Sequence, residues 1–126
     1  MEDYMQPDWS TVYSDVEDFL IPRLGLSAYD RSLYYHLLRH TRLKGRESAM
    51  FAIGPLSKAT GVSDFKVREV VRDLHQKGCL RIEDRTRLGH KISVLLPSEI
   101  PGVVQPSAQA EPIDLLAVDF SQIANI

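Results

Sequence analysis

Five side chains within eight residues, Phe65, Lys66, Arg68, Glu69 and Arg72, supply two guanidinium groups, an ammonium, a carboxylate and an aromatic ring. Their chemistry is recognition. A guanidinium can grip O6 and N7 of guanine with two hydrogen bonds, and an aromatic edge can contact a thymine methyl. His36 and His40 could do different chemistry, because at i and i+4 on a helix two imidazoles can share a metal. No third ligand neighbours them, however, and the intervening Leu37-Leu38-Arg39 lacks the glutamate of an H-E-x-x-H site, so they read as surface or core-edge histidines. The single Cys79 excludes an internal disulfide and a thiolate pair for zinc. No nucleophile, base and orienting group fall together, and His75 and His90 have no evident partners. The sequence therefore implies neither an enzyme nor a cofactor nor a resident metal.

These side chains need a helix to aim them. When successive residues are set 100° apart, Val67, Val70, Val71 and Leu74 fall in one arc, which must face a core. Phe65, Glu69, Arg72 and Gln76 take the opposite arc, with Arg68 beside Arg72 and Lys66 on the other flank. The spacing predicts a helix over Asp64 to Lys77, opened by Ser63 as cap and closed by Gly78. Gly54 and Pro55 suit the cap and first position of a shorter helix, with Leu56, Ala59 and Val62 on its apolar face and Gly61 at the turn. Short helix, Gly-containing turn and longer helix form a helix-turn-helix pattern, whose second helix inserts its N-terminal half deepest into a DNA major groove. Ser63 and Lys58 are then placed for phosphates. Phe65 is equally compatible with burial against the preceding helix.

Around this pair, Ser27 and Asp30 resemble a capping box opening a helix to about Leu43. Leu33, Tyr34, Leu37, Leu38 and Thr41 share its core face, leaving Arg31, Arg39 and Arg42 outside. Met50 to Ile53 reads as a short strand after a polar loop. Past Gly78 the period changes to two: Leu80 and Ile82 alternate with charged residues, as do Ile92, Val94 and Leu96 with Lys91 and Ser93. Two strands joined by a loop over Asp84 to Gly89 would present Arg85, Arg87 and Lys91 as a basic hairpin, suited to backbone contact. Trp9 to Leu20 carries an amphipathic stripe ended by Pro22. Because its other face is acidic and would repel phosphates, the helix is expected to pack on the domain core in preference to a second subunit. From Pro97 the proline-rich composition reads as a linker to a short acidic amphipathic segment, Ile113 to Ile123. The expected fold is mainly α with a small antiparallel sheet, an α+β winged helix-turn-helix with an extra N-terminal helix. Its organisation divides into an acidic N-terminal segment over 1–22, the winged domain over 23–97, and the linker and C-terminal segment over 98–126.

The charge layout agrees with this division. All 15 Lys and Arg lie between Arg23 and Lys91, against seven acids in residues 23–97, a net of +8 within a chain of formal charge -2. A basic middle between acidic flanks suits a nucleic-acid binder. No apolar run nears the roughly 20 residues of a membrane span, and the acidic start resembles neither a secretory signal nor a transit peptide, so a soluble cytoplasmic protein is expected.

The run LSAYDRSLYYHLLRHTRLKG, followed by PLSKATGVSDFKVREVVRDLHQKGCLRIEDR, resembles the winged helix-turn-helix domains of bacterial and phage replication-initiator-like proteins. Together with the lead-in Ile113 to Phe120, it is also similar to the region found ahead of HNH endonuclease-type domains. The resemblance implies double-stranded DNA as partner, and a stand-alone transcription regulator or the targeting half of a shortened protein. It carries over no nuclease activity, because no Cys pair or H-N-H cluster is present. A homodimer through the N-terminal helix and the C-terminal segment is a further expectation, as is a protein partner at the latter. A protein-interaction module remains the alternative reading.

Overall fold

The computed structural model describes residues 6–104. Asp8 caps the first helix, α1 (Trp9–Asp15), by accepting from the Ser10 N–H. The chain then passes through a π-helical turn, Val16–Leu20, into α2 (Ile21–Leu24). Pro22 therefore does not end the helical stretch. It sits in the first turn of a restarted register, where its missing N–H costs nothing, and the stretch ends instead at Gly25, whose φ of 63° is left-handed.

The capping box at Ser27 and Asp30 forms in both directions and opens α3 (Ala28–His40). This helix is shorter than expected. Thr41 leaves helical geometry, donates its hydroxyl to the Leu37 carbonyl and is buried, and the chain continues as a 3-10 turn, Arg42–Lys44. The first strand, β1 (Ser48–Phe51), ends before Ile53, which is already the first residue of α4 (Ile53–Thr60) with Ala52 as its cap. Gly54 and Pro55 are thus second and third in that helix, still within the turn whose N–H groups have no intrahelical partner. Gly61 closes α4 at φ 73°, and Ser63 caps α5 (Asp64–Gln76) by accepting from the Lys66 N–H at 3.2 Å.

Strands β2 (Leu80–Arg85) and β3 (His90–Val94) form an antiparallel hairpin, and β1 pairs antiparallel with β3, giving the order β1-β3-β2. The protein is α+β, mainly helical with a three-stranded antiparallel sheet.

One core joins these layers. Leu33, Tyr34, Leu37 and Leu38 of α3 meet Val67, Val70, Val71 and Leu74 of α5 over Leu80, Ile92 and Val94 of the sheet. Val12, Val16 and Leu20 belong to the same cluster, as do Ile100 and Val103 beyond the 3-10 turn Pro97–Glu99. The linker reading is therefore corrected for residues 98–104, because the apolar side chains of Ile100 and Val103 are inside. Arg42 is corrected too. It turns inward and donates to both carboxylate oxygens of Glu99 at 2.7 and 2.9 Å, and to the Val94 carbonyl at 3.0 Å. The acidic segment Ile113 to Ile123 lies outside the described residues.

Candidate nucleic-acid interface

Helix α5 buries Val67, Val70, Val71 and Leu74 and leaves Phe65, Arg68, Glu69 and Arg72 exposed, so the arc read from the sequence is the arc found. Phe65 is 68% exposed, which settles its alternatives in favour of the surface. Lys66 and Glu69 neutralise each other: the ammonium lies 2.6 Å from Glu69 Oε1 and 5.1 Å from the centre of the Tyr29 ring. The hydrogen bond to Glu69 raises the Lys66 pKa. Arg68 and Arg72 are different, forming no ion pair among the described residues.

Opposite α5, the hairpin supplies a third guanidinium by an irregular route. Ile82 faces Ile92, but Asp84 rather than Glu83 pairs with Lys91, and Arg85 pairs with His90. This bulge reverses the inward and outward alternation of the strand. Strict alternation from Leu80 and Ile82 would send Arg85 to the outer face. The extra residue returns it to the face shared by Ile82 and His90, the face that looks at α5.

A cleft of about 380 Å³ results, lined by Arg68, Arg72 and His75 from the helix and Arg85 and His90 from the hairpin, over Ile53, Val71 and Ile82. No carboxylate lines it. The His90 Nδ1 is buried with no hydrogen-bond partner in the described structure, so one polar atom beside the cleft is unsatisfied. In the sequence, His75 and His90 read only as histidines without evident partners and not as members of the site. The hydrophobic arc could have suggested His75, one turn beyond Arg72 on its Arg68 flank, whereas His90 becomes legible only through its pairing with Arg85.

The remaining candidates do not converge on the cleft. Arg87 is exposed near the tip of the hairpin, Lys58 is exposed on α4, and Ser63 has its hydroxyl engaged as a cap. Lys91 is exposed between the inward-facing His90 and Ile92, which puts it on the other face of the sheet, where it cannot join the helix. The chain's thiol adds no reactive group. Cys79 is buried, and burial pushes its pKa up to about 12, which keeps it protonated and inert. Among the described residues no group of three or more His, Cys, Asp or Glu could hold a metal, and no helix is long and apolar enough to cross a membrane.

In comparison with known proteins, the chain matches no protein-family model and no curated protein.

Proposed function

We propose that the chain is a sequence-specific double-stranded DNA-binding protein of winged helix-turn-helix type, acting as a non-catalytic transcription regulator. Helix α5 enters the major groove while the β2–β3 hairpin lies along the phosphate backbone. The observation that carries this reading is the cleft in which Arg68, Arg72 and Arg85 converge without a carboxylate. Three like charges held together in a solvent-open cleft repel one another, and a polyanion relieves that repulsion while releasing its own counterions. A helix about 10–12 Å across also matches a major groove about 12 Å wide. Arg68 and Arg72 are on the helix and serve base edges, whereas Arg85 and Arg87 on the hairpin serve phosphates. Two copies bound about one helical turn of DNA apart would extend a single-domain footprint.

Phe65 favours a second reading, because a ring 68% exposed is the kind of anchor that protein interfaces use. The two readings differ in salt dependence. Selection of bound fragments from a random DNA pool, followed by titration of the enriched site at rising salt, separates them. The DNA reading expects enrichment of a defined sequence and a log–log salt slope of about −0.9 per phosphate neutralised. Replacing Arg68 and Arg72 together by alanine should abolish enrichment, and Arg85→Ala should reduce the slope by about 1 with little change in sequence preference. If the wild type enriches no sequence and does not retard DNA even at low salt, the reading fails.

A further inference from the structure

On a different part of the molecule, a hollow of about 500 Å³ opens between the C-terminal half of α3, strand β1, helix α4 and the tip of the hairpin. Its apolar lining includes Met50, Phe51, Leu56 and Ala59, and Leu88 closes one edge. Its polar lining is cationic or imidazole: His36, His40, Lys44 and Arg46, with no Asp or Glu.

Two features of this hollow are unexplained by DNA contact. Leu88 is 87% exposed at the tip of an otherwise basic hairpin, and Met50 is 54% exposed on β1. Neither apolar side chain helps to hold a phosphate. Leu88 sits on a tip that lies against β1. Its neighbour Gly89 lies so close to β1 that a Cβ there would sit 2.7 Å from the Phe51 carbonyl oxygen, so the tip is held against the edge of the hollow. On the other side, Lys44 and Arg46 form no ion pair among the described residues. Burial, then His40 and Arg39, lower the His36 pKa, and burial, then Lys44 and Arg39, lower that of His40.

We propose that this hollow is a binding site for a small amphiphile with one anionic head, an aliphatic carboxylate being the simplest case. Its apolar body lies along Met50, Leu56 and Ala59 beneath Leu88, and its carboxylate pairs with Lys44 and Arg46 beside the two imidazoles. The volume falls within the roughly 300–1,000 Å³ of small-ligand sites, and an apolar wall with a few convergent polar groups is their usual composition. A guanidinium and an ammonium at one end select an anionic head. A metal between the histidines fits less well. Their rings are 4.5 Å apart between centroids, but no third ligand joins them among the described residues.

This site is independent of the DNA-binding reading and can be tested without DNA. Decanoate should be titrated into the 126-residue chain, followed by calorimetry and by the methyl resonances of Met50, Ala59 and Leu88. Saturable one-to-one binding is expected, with those methyls shifting together. Decanol, which lacks the charge, and decyltrimethylammonium, which reverses it, should bind at least about tenfold more weakly, the scale expected for a hydrogen bond to a charged group. The double variant Lys44→Gln with Arg46→Gln should lose the same factor for decanoate and leave decanol unchanged. Leu88→Ser should weaken both. These three side chains are exposed, so the variants should keep the wild-type circular dichroism. Absence of saturable binding would overturn the proposal. So would equal affinity for the three amphiphiles, or decanoate binding that is insensitive to loss of Lys44 and Arg46.

Discussion

At the scale of single residues, Arg42 and Glu99 show what distance along the chain conceals. The two are 57 positions apart, yet they form a two-pronged ion pair, and Glu99 Oε1 also accepts from the Leu96 N–H at 2.8 Å. Burial alone would raise the Glu99 pKa. The bonds from Arg42 and Leu96 outweigh it and hold the carboxyl below its ordinary value of 4.5. A carboxylate whose folded-state pKa is depressed adds stability above its unfolded value, and that contribution disappears as pH falls through the folded one. Urea denaturation of Glu99→Gln should therefore give lower stability than the wild type at neutral pH, and the difference should shrink as pH drops below 4.5. Because the Glu99 side chain is 40% exposed, the neutral-pH loss should be about 1 kcal/mol or less. A difference that stays constant into acid would contradict this account. The Ser27 and Asp30 capping box was legible because it is local. That Asp30 is also buried, with Lys77 3.3 Å away, was not, since the partner comes from another helix.

At the scale of elements, periodicity located the two packing helices and both hairpin strands, because burial on one face forces a period of 3.6 or 2. It failed where a backbone changes register. The π turn before Pro22 and the bulge after Ile82 each insert spacing that no side-chain pattern announces, and the bulge decides that Arg85 joins the cleft. The tip of the hairpin rests on a similar constraint. Gly89 has φ 156°, a conformation that side chains rarely adopt, and its missing Cβ leaves room for the Phe51 carbonyl at the end of β1. Gly89→Ala combines backbone strain with a clash against main chain that cannot simply rotate away. It should cost about 1–3 kcal/mol, the range for one strained residue, with the loss concentrated in the β1–β3 ladder. Hydrogen exchange should show Phe51 and its neighbours losing protection before α3 and α5 do. Equal protection in variant and wild type would mean that the tip does not hold β1.

At the scale of the molecule, charge divides the chain where packing joins it. The first 22 residues carry six acids and no base, which sets them apart from the basic middle, but in the helical stretch that begins at Trp9 charge describes only the outer face. Its inner face places Val12, Val16 and Leu20 in the core shared by α3, α5 and the sheet. Tyr13 stacks against Tyr35 with centroids 5.8 Å apart, and the Tyr35 hydroxyl donates to Glu17 at 2.8 Å. The helix-turn-helix pair was readable because its caps, turn and arcs are contiguous; the apolar stripe of α1 likewise announced core packing, but the surface it docks on is assembled only in the fold. Fully burying three aliphatic side chains contributes about 1.5–3 kcal/mol each. Their sum is comparable with the roughly 5–15 kcal/mol that stabilises a domain. Removing residues 1–24 should therefore abolish cooperative thermal unfolding, although every candidate DNA contact is retained. The milder variants Val16→Ala and Leu20→Ala test the same point in a folded protein. Each should lower the urea midpoint without changing the slope, and Leu20→Ala should cost about 2–5 kcal/mol, the range for such truncations in a packed core. A shortened chain that melts at the wild-type midpoint would show that residues 25–126 fold without the N-terminal helix and that this helix is an addition to the core.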